Sequence, residues 1–557
     1  MQLDHLIEKH ANTLKQSVEA VQSRQFFAHW PEPPSGKIYG ETAQADGLST
    51  FQASLHSRFE LPHQFGSDGY IGDEQSPYGF PLEIQYPSFA SETLIEQADK
   101  AKQEWKSFST ELRAAILIEC LERASKHFFE IGFATMHTTG QGFIMAFQAS
   151  GPHAFDRALE AIATGYMTIN QFCAHTSWTK PMGRFEVTLQ KSFRIIPKGL
   201  NVTIGCSTFP IWNSFPGIFA SLITGNTSIA KAHPKAILPI AICIKSFQDT
   251  LVSLGLNPHI IQLAVDSLEQ PITMQLAKNH KVALIDYTGS SHFGSILEQE
   301  LHGTNKHIFT EKAGVNSVLI AEAVSLDAVL DNLAFSVSLY SGQMCTAPQN
   351  FYIPKQGVKV GDSYISYDEV MKAFAEKVQA LVLNEKMGPG TIGALQNPAV
   401  LERVNMVRKT GLPIVLDSHE VKHQGFDNAL SVSPIILSAT MSDSDIYEQE
   451  WFGPICFIIK VEDIHQGIDL ISSSIKKHGA LSTAVYILNH DDLLYAEEQI
   501  TMAGAPLACN FTGPIWVNQS ATFSDFHGTG ANPAGNASFT DITFISSRYN
   551  IVGIRKA

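Results

Sequence analysis

No two of the seven cysteines form a C-x-x-C pair, and their number, spread from Cys120 to Cys509, is odd. This excludes a disulfide framework as the organising principle, and a reducing cytoplasm is the expected compartment. Long apolar runs are also missing. The longest, such as "AILPIAICI" (Ala236–Ile244), contain proline and fall short of the roughly 18 residues a membrane helix needs. The start, "MQLDHLIEKH", lacks the basic-then-apolar order of a secretory signal, so none is expected. Positive charge is scarce: 39 Lys and Arg stand against 54 Asp and Glu, a formal net charge of −15. Such a chain repels phosphate, which excludes non-specific nucleic-acid binding. The dinucleotide fingerprint G-x-G-x-x-G is absent, as are internal repeats and low-complexity tracts.

What is present is a long, ordinary globular composition. At 557 residues the chain exceeds what one core fills, so two or more domains are expected. Apolar positions Leu3, Leu6, Ile7, Leu14, Val18 and Val21 predict an amphipathic helix over 3–26. "HWPEPPSG" (His29–Gly36) breaks it, and a Gly-, Pro-, Ser- and His-rich arm runs on to about Pro81. The pattern from Ser91 to Gly140 reads as one long helix. "GRFEVTLQKSFRIIPKG" (Gly183–Gly199) alternates like a strand or hairpin, and the tail Thr543–Lys556 reads as one more strand. Between them, "NVTIGCS", "TSIAKAH", "IIQLAV" and "VALIDYTGS" are short and β-branched and alternate with helical stretches. That rhythm predicts βαβ units in a doubly wound α/β sheet, with a second α/β stretch from about Ala321.

Such sheets bind nucleotides beyond the carboxyl ends of their strands. "YTGSSHFG" (Tyr287–Gly294) follows an apolar strand; Gly289 frees the backbone and Ser290 can cap the next helix, whose N-terminus attracts phosphate. "SIAKAHPKAILP" (Ser228–Pro239) sets Lys231, His233 and Lys235 just after a strand, where two lysine charges suit a phosphate on a ribose. "LYSGQMCTAPQNF" holds Cys345 between small residues, either a nucleophile or a core filler.

"STFPIWNSFPG", "DYTGSSHFG", "TEKAG", "SGQMCTAP" and "EQEWFGPI" occur in this order. Together they resemble the aldehyde dehydrogenase superfamily, from about Tyr78 to the C-terminus. With the amino-terminal arm, "FPIWNSFPG" and "SGQMCTAPQNFY", the chain is most similar to the phenylacetate-degradation branch, PaaN. The resemblance implies that Cys345 is the nucleophile and that Glu311, 34 positions earlier, activates the hydrolytic water. It implies that Asn213 stabilises the oxyanion and that Lys231 reaches the adenosine ribose. Gly289, Ser290 and Gly294 would form the pyrophosphate turn, and Glu450 and Phe452 would position the nicotinamide ribose and ring.

The same resemblance implies an aldehyde dehydrogenase-like fold in parts. These are a helix and arm (1–77), a Rossmann-type cofactor domain (78–182 and 200–311), a β oligomerisation element (183–199 and 543–557) and a catalytic domain (312–542). A homodimer or homotetramer is expected. The implied activity is NAD(P)-dependent oxidation of an aldehyde to an acid, the aldehyde being a ring-opened coenzyme A thioester. Ring opening, which a hydratase domain performs in a related fused enzyme, would fall to a separate protein. The alternatives are a coenzyme A-acylating dehydrogenase and a non-catalytic oligomeric scaffold. Three departures stand out: Ser214 intervenes between Asn213 and Phe-Pro, Lys312-Ala313-Gly314 follows Glu311, and Pro234 with Lys235 replaces the glutamate of NAD-preferring relatives. Losing that carboxylate predicts that NADP is accepted and preferred. "HEVKH" (His419–His423) matches the zinc-protease signature, but it follows a strand-like run and ends at Gly425; no metal site is expected.

Overall fold

A computed structural model describes residues 3–312, 314–525, 527 and 542–557. Ala313, part of the departure after Glu311, lies outside them. The four β-branched runs are strands, Leu200–Ile204, Thr227–Lys231, Ile261–Ala264 and Val282–Gly289, joined by a fifth, His307–Lys312. All five pair in parallel, in the order 307, 282, 200, 227, 261 by first residue. Both faces are covered by helices, which is why most positions of these strands are buried. The chain winds outward from the central strand, then returns to its other side, leaving a switch point between Leu200–Ile204 and Val282–Gly289. Register aligns Ile204 with both Lys231 and Tyr287, and Thr288 with Glu311, so predicted site residues share one edge of the sheet.

A second sheet of seven strands starts at Ser317 and carries the loop of Cys345. Its order by first residue is 414, 435, 455, 350, 317, 483, 508; only Ile414–Leu416 runs antiparallel. The third sheet is antiparallel and comprises His175–Pro181, Glu186–Pro197 and Tyr549–Lys556.

Several expected elements differ. Ser91–Gly140 is not one helix but Ser91–Trp105, Thr110–Ala124 and Phe128–Thr139. The Ser109 hydroxyl accepts from the Leu112 N–H and starts a new helix, a local competitor that apolar periodicity does not register. Gly140, at φ 86°, does end the last one. The tail is a strand only from Tyr549; Thr543–Ser546 is a helical turn that leads into buried Arg548. Gly183–Gly199 is no hairpin by itself, since its partner His175–Pro181 precedes it. The first helix runs Asp4–Ser23. The arm after it also holds a helix, Ala43–Ser54, despite its glycine and proline content. "HEVKH" lies outside any helix, in chain whose Glu420 bridges Val432 and whose His423 bridges Phe426. His419 meets the Ser433 hydroxyl and His423 meets Gly393 O and the Ser431 hydroxyl, contacts that hold the loop.

Three buried contacts tie these parts together. Arg548 grips both carboxylate oxygens of Asp286, at 2.8 and 2.6 Å, fastening the tail to the central sheet. The Asp4–Ser23 helix docks through Glu119, which meets Lys9, His10 and Arg123 at 2.5 to 2.8 Å. Glu74 of the arm accepts from the Ile237 and Leu238 N–H groups at a helix start. Among the described residues no helix is long and apolar enough to cross a membrane.

Candidate active site

Cys345 follows an unusual piece of backbone. Tyr340, Ser341 and Gly342 are all left-handed, at φ 53°, 50° and 61°. Two of them are not glycine, so the turn is strained. Buried hydrogen bonds hold it: Tyr340 Oη donates to Thr139 O, Ser341 Oγ to Ile392 O and Gln343 Nε2 to Ala394 O. Beyond the cysteine, Asn316 donates to Cys345 O and Ala347 O while its own oxygen accepts from Leu481 and Ser482. The loop thus presents its sulfur from a fixed frame. A Cβ on Gly342 would sit 2.4 Å from Gly453 O, so the loop of Glu450 and Phe452 lies directly against the nucleophile loop.

Glu311 reaches the cysteine from the end of the first sheet. One Glu311 carboxylate oxygen, Cys345 Sγ and a nitrogen of His527 lie within 4.8 Å of one another. His527 Nε2 is 3.0 Å from Glu311 Oε1 and 3.7 Å from Cys345 Sγ, and its ring stands edge-on to Trp212 at 4.6 Å. The buried guanidinium of Arg157 also lies over the Trp212 ring, 3.7 Å from its centre. Burial drives the Cys345 thiol well above its ordinary pKa; Glu311 and Cys206 push the same way, and Arg157 opposes them. Resting Cys345 is therefore a neutral thiol.

Two spaces meet at this sulfur. A cavity of about 290 Å³ is walled by Met145, Phe209, Trp212, Met344, Ile515 and Trp516, with Cys345 and His527 among its lining. Phe26 and Glu32 of the amino-terminal arm line it too, and Glu32 pairs with His153 at 3.0 Å. A narrower crevice is shared by Cys345, Glu450 and Phe452. Burial raises the Glu450 carboxyl to about 7, with Arg403 as the opposing charge. Phe452 has φ 28°, and its carbonyl accepts from Arg403 Nε.

The other sequence-predicted residues fall as follows. Asn213 lines a crevice with Ile204, Asp286 and Tyr287 at the switch point, and its Nδ2 donates to Cys206 Sγ at 3.3 Å. Ser214 folds back onto Pro210 O at 2.6 Å, so the extra residue is absorbed within the helix Pro210–Ile223. Lys231 is buried in an ion pair with Asp266 at 2.5 Å. His233 Nδ1 accepts from the Lys235 N–H, shaping the turn. Burial and the two lysine charges hold this histidine down at about 3, so it is neutral. Ser290 Oγ accepts from Phe293 N–H and caps the helix Ser291–Glu300. Gly289 and Gly294 have no room for a Cβ: Tyr287 Oη would sit 2.5 Å from the first, and the Lys312 side chain 2.8 Å from the second. Sequence reasoning missed His527, Arg157, Asp266 and the arm residues Phe26 and Glu32. None carries a local signal, because each acts through a partner distant in the chain.

The residues from 89 to 535 match the aldehyde dehydrogenase family model. The chain is similar in structure to an NAD-dependent aldehyde dehydrogenase from Burkholderia multivorans, at TM-score 0.95 and 42% identity over 99% of this chain and 98% of that one. Among curated proteins it is 23% identical to an NADP(+) D-glyceraldehyde dehydrogenase of Picrophilus torridus, over 76% of this chain and 81% of that one. It is also 23% identical to a probable acylating methylmalonate-semialdehyde/malonate-semialdehyde dehydrogenase of Anopheles gambiae, over 72% of each. The family match thus spans most of the chain, including both parallel sheets. The protein belongs to the aldehyde dehydrogenase family and is an oxidoreductase that oxidises aldehydes.

Proposed function

We propose that Cys345 attacks the aldehyde carbonyl from the cavity side and passes through a thiohemiacetal to a thioester. The observation that carries this reading is that one sulfur lines both the apolar cavity and the crevice of Glu450 and Phe452. An aldehyde reaches it from one side and a nicotinamide ring from the other. Resident groups fit a dinucleotide: Lys231 ends its strand on the same edge, a Ser290-capped helix N-terminus offers N–H groups to phosphate, and Gly289 and Gly294 keep that turn close. When bound, the dinucleotide accepts the hydride. The Cys345 N–H and the Asn213 amide supply the oxyanion donors, each worth about 3 kcal/mol. Glu311 then takes a proton from water, which attacks the thioester and releases the acid.

NADP is accepted and preferred over NAD on this reading. Lys235, just beyond the strand that ends at Lys231, offers positive charge to a 2′-phosphate, and the nearby carboxylate of Asp266 is paired with Lys231 at 2.5 Å. The substrate is a semialdehyde carried on a coenzyme A thioester, as in aerobic phenylacetate degradation. The aromatic wall suits its unsaturated chain. Among the described lining residues none is lysine or arginine, so the coenzyme's phosphates would stay outside the cavity. Glu311 beside the sulfur favours hydrolysis over transfer of the acyl group to coenzyme A. The protein works in the cytoplasm as a homodimer or homotetramer.

The test is steady-state reduction of NADP and NAD across aldehydes that include this thioester semialdehyde. Turnover of the semialdehyde with NADP, without added coenzyme A, is expected. Protein inert toward it but active on simple aldehydes would overturn the substrate. Dependence on free coenzyme A would install the acylating reaction instead. A phenotype surviving Cys345→Ala would favour the scaffold.

A further inference from the structure

We infer that Glu311, Cys345 and His527 form a binding site for a thiophilic divalent cation of the zinc class, which reversibly silences the nucleophile. No metal is expected from the sequence, because the cluster depends on His527, 182 positions beyond Cys345. Each residue offers one donor atom, a nitrogen, a sulfur and a carboxylate oxygen, and all lie within 4.8 Å of one another. In tetrahedral zinc with bonds of about 2.0 to 2.3 Å, neighbouring ligand atoms sit roughly 3.3 to 3.6 Å apart. The observed 3.0 Å from Nε2 to Oε1 and 3.7 Å from Nε2 to Sγ bracket that spacing.

The geometry also argues against a plain proton relay. A histidine that passes a proton between a thiol and a carboxylate uses one ring nitrogen for each. Here a single nitrogen, Nε2, faces both partners, while Nδ1 is buried with no hydrogen-bond partner among the described residues. Three donor atoms of different kinds gathered within 4.8 Å suit a cation. A second sign is the carboxylate itself: Glu311 Oε2 is buried and unpartnered among the described residues, and both Glu311 and His527 are only 2% exposed. An acidic oxygen left without a donor there has a use if a positive ion arrives. The fourth position opens toward the cavity beside Trp212, the arrangement of a three-ligand zinc site.

On binding, the Cys345 S–H proton leaves to water, the proton that His527 Nε2 shares with Glu311 passes to Nδ1 so that Nε2 is free to ligate, and a sulfur–metal bond forms. Glu311 and His527 each lend a lone pair, and no electrons are transferred. The sulfur is then unavailable to an aldehyde until the cation is withdrawn. That consequence rests on Cys345 being the nucleophile; the binding itself does not.

The full-length protein, freed of metal, is titrated with Co²⁺ without aldehyde or dinucleotide. One cobalt per chain is expected, with a thiolate-to-cobalt charge-transfer band and the intense visible bands of a four-coordinate ion. Zn²⁺ should displace the cobalt and protect Cys345 from iodoacetamide. His527→Ala and His527→Asn should each weaken cobalt binding by roughly tenfold or more. Should both lose their native circular dichroism, Glu311→Gln takes their place. Binding without a thiolate band, no stoichiometric uptake, or a folded variant that binds cobalt like the parent overturns the inference. Aldehyde oxidation is assayed separately in chelator. A protein that oxidises aldehydes but binds no cobalt loses only the metal site, and one that binds cobalt but oxidises none loses only the enzymatic reading.

Discussion

At the scale of the residue, the thiol of Cys345 is held neutral by its surroundings, and Glu311 contributes to that. Removing the carboxylate's charge separates two effects. Glu311→Gln should raise the rate at which iodoacetamide alkylates Cys345 at neutral pH, because a nearby negative charge no longer opposes the thiolate. The same variant should lose about 10²- to 10⁴-fold in aldehyde turnover, since the base is gone. Alkylation no faster than in the parent would show that Glu311 does not reach the sulfur in solution. Glu450 gives a second, pH-based expectation. Burial raises its carboxyl to about 7, so it is neutral below that pH and ionised above it. As a ribose acceptor it works best ionised, so KM for the dinucleotide should fall as pH rises through about 7. In Glu450→Gln that dependence should be flat; a slope surviving in the variant would assign the titration to another group. Cys345, Glu311 and Glu450 could be singled out because fixed motifs carry them, and the structure brings the two carboxylates near the sulfur. His527 was not, since a lone histidine far along the chain says nothing of where it folds to.

At the scale of the element, the amino-terminal arm acquires a role that composition concealed. The helix Asp4–Ser23 packs on the helix Thr110–Ala124, and the chain after it crosses the cavity mouth, where Phe27 meets Phe523 edge-on at 5.1 Å. Phe26, though 75% exposed, lines that mouth. Phe26→Ala should widen it. We expect kcat/KM for bulky aldehydes to rise relative to short ones by a few-fold, with thermal stability nearly unchanged, because the side chain is mostly in water. An unchanged ratio across a chain-length series would remove the arm from substrate selection. The helix Pro210–Ile223 shows the opposite case. Its inserted Ser214 and internal Pro216 look disruptive, yet Ser214 Oγ satisfies Pro210 O and the helix persists.

At the scale of the whole molecule, the three-stranded sheet leaves Phe185, Phe193, Ile551 and Val552 between 39% and 61% exposed. Edge strands with apolar faces seek partners. Ile551→Lys with Phe193→Glu should shift the protein toward monomer in sedimentation equilibrium; an unaltered mass would place assembly on another surface. The parallel sheet, its strands and the Cys–Glu spacing were determined by the sequence alone, because β-branched runs and motif residues act within a few positions of one another. The break of Ser91–Gly140 after Trp105 was written there too, in the Ser109 cap, but at a strength periodicity outweighs. Tertiary structure decided which side chains meet: Arg157 over Trp212, His527 against Glu311, Asp266 against Lys231, and the arm at the cavity mouth. Those contacts join residues far apart in the chain, and only closure of the long loops between them brings charge to charge.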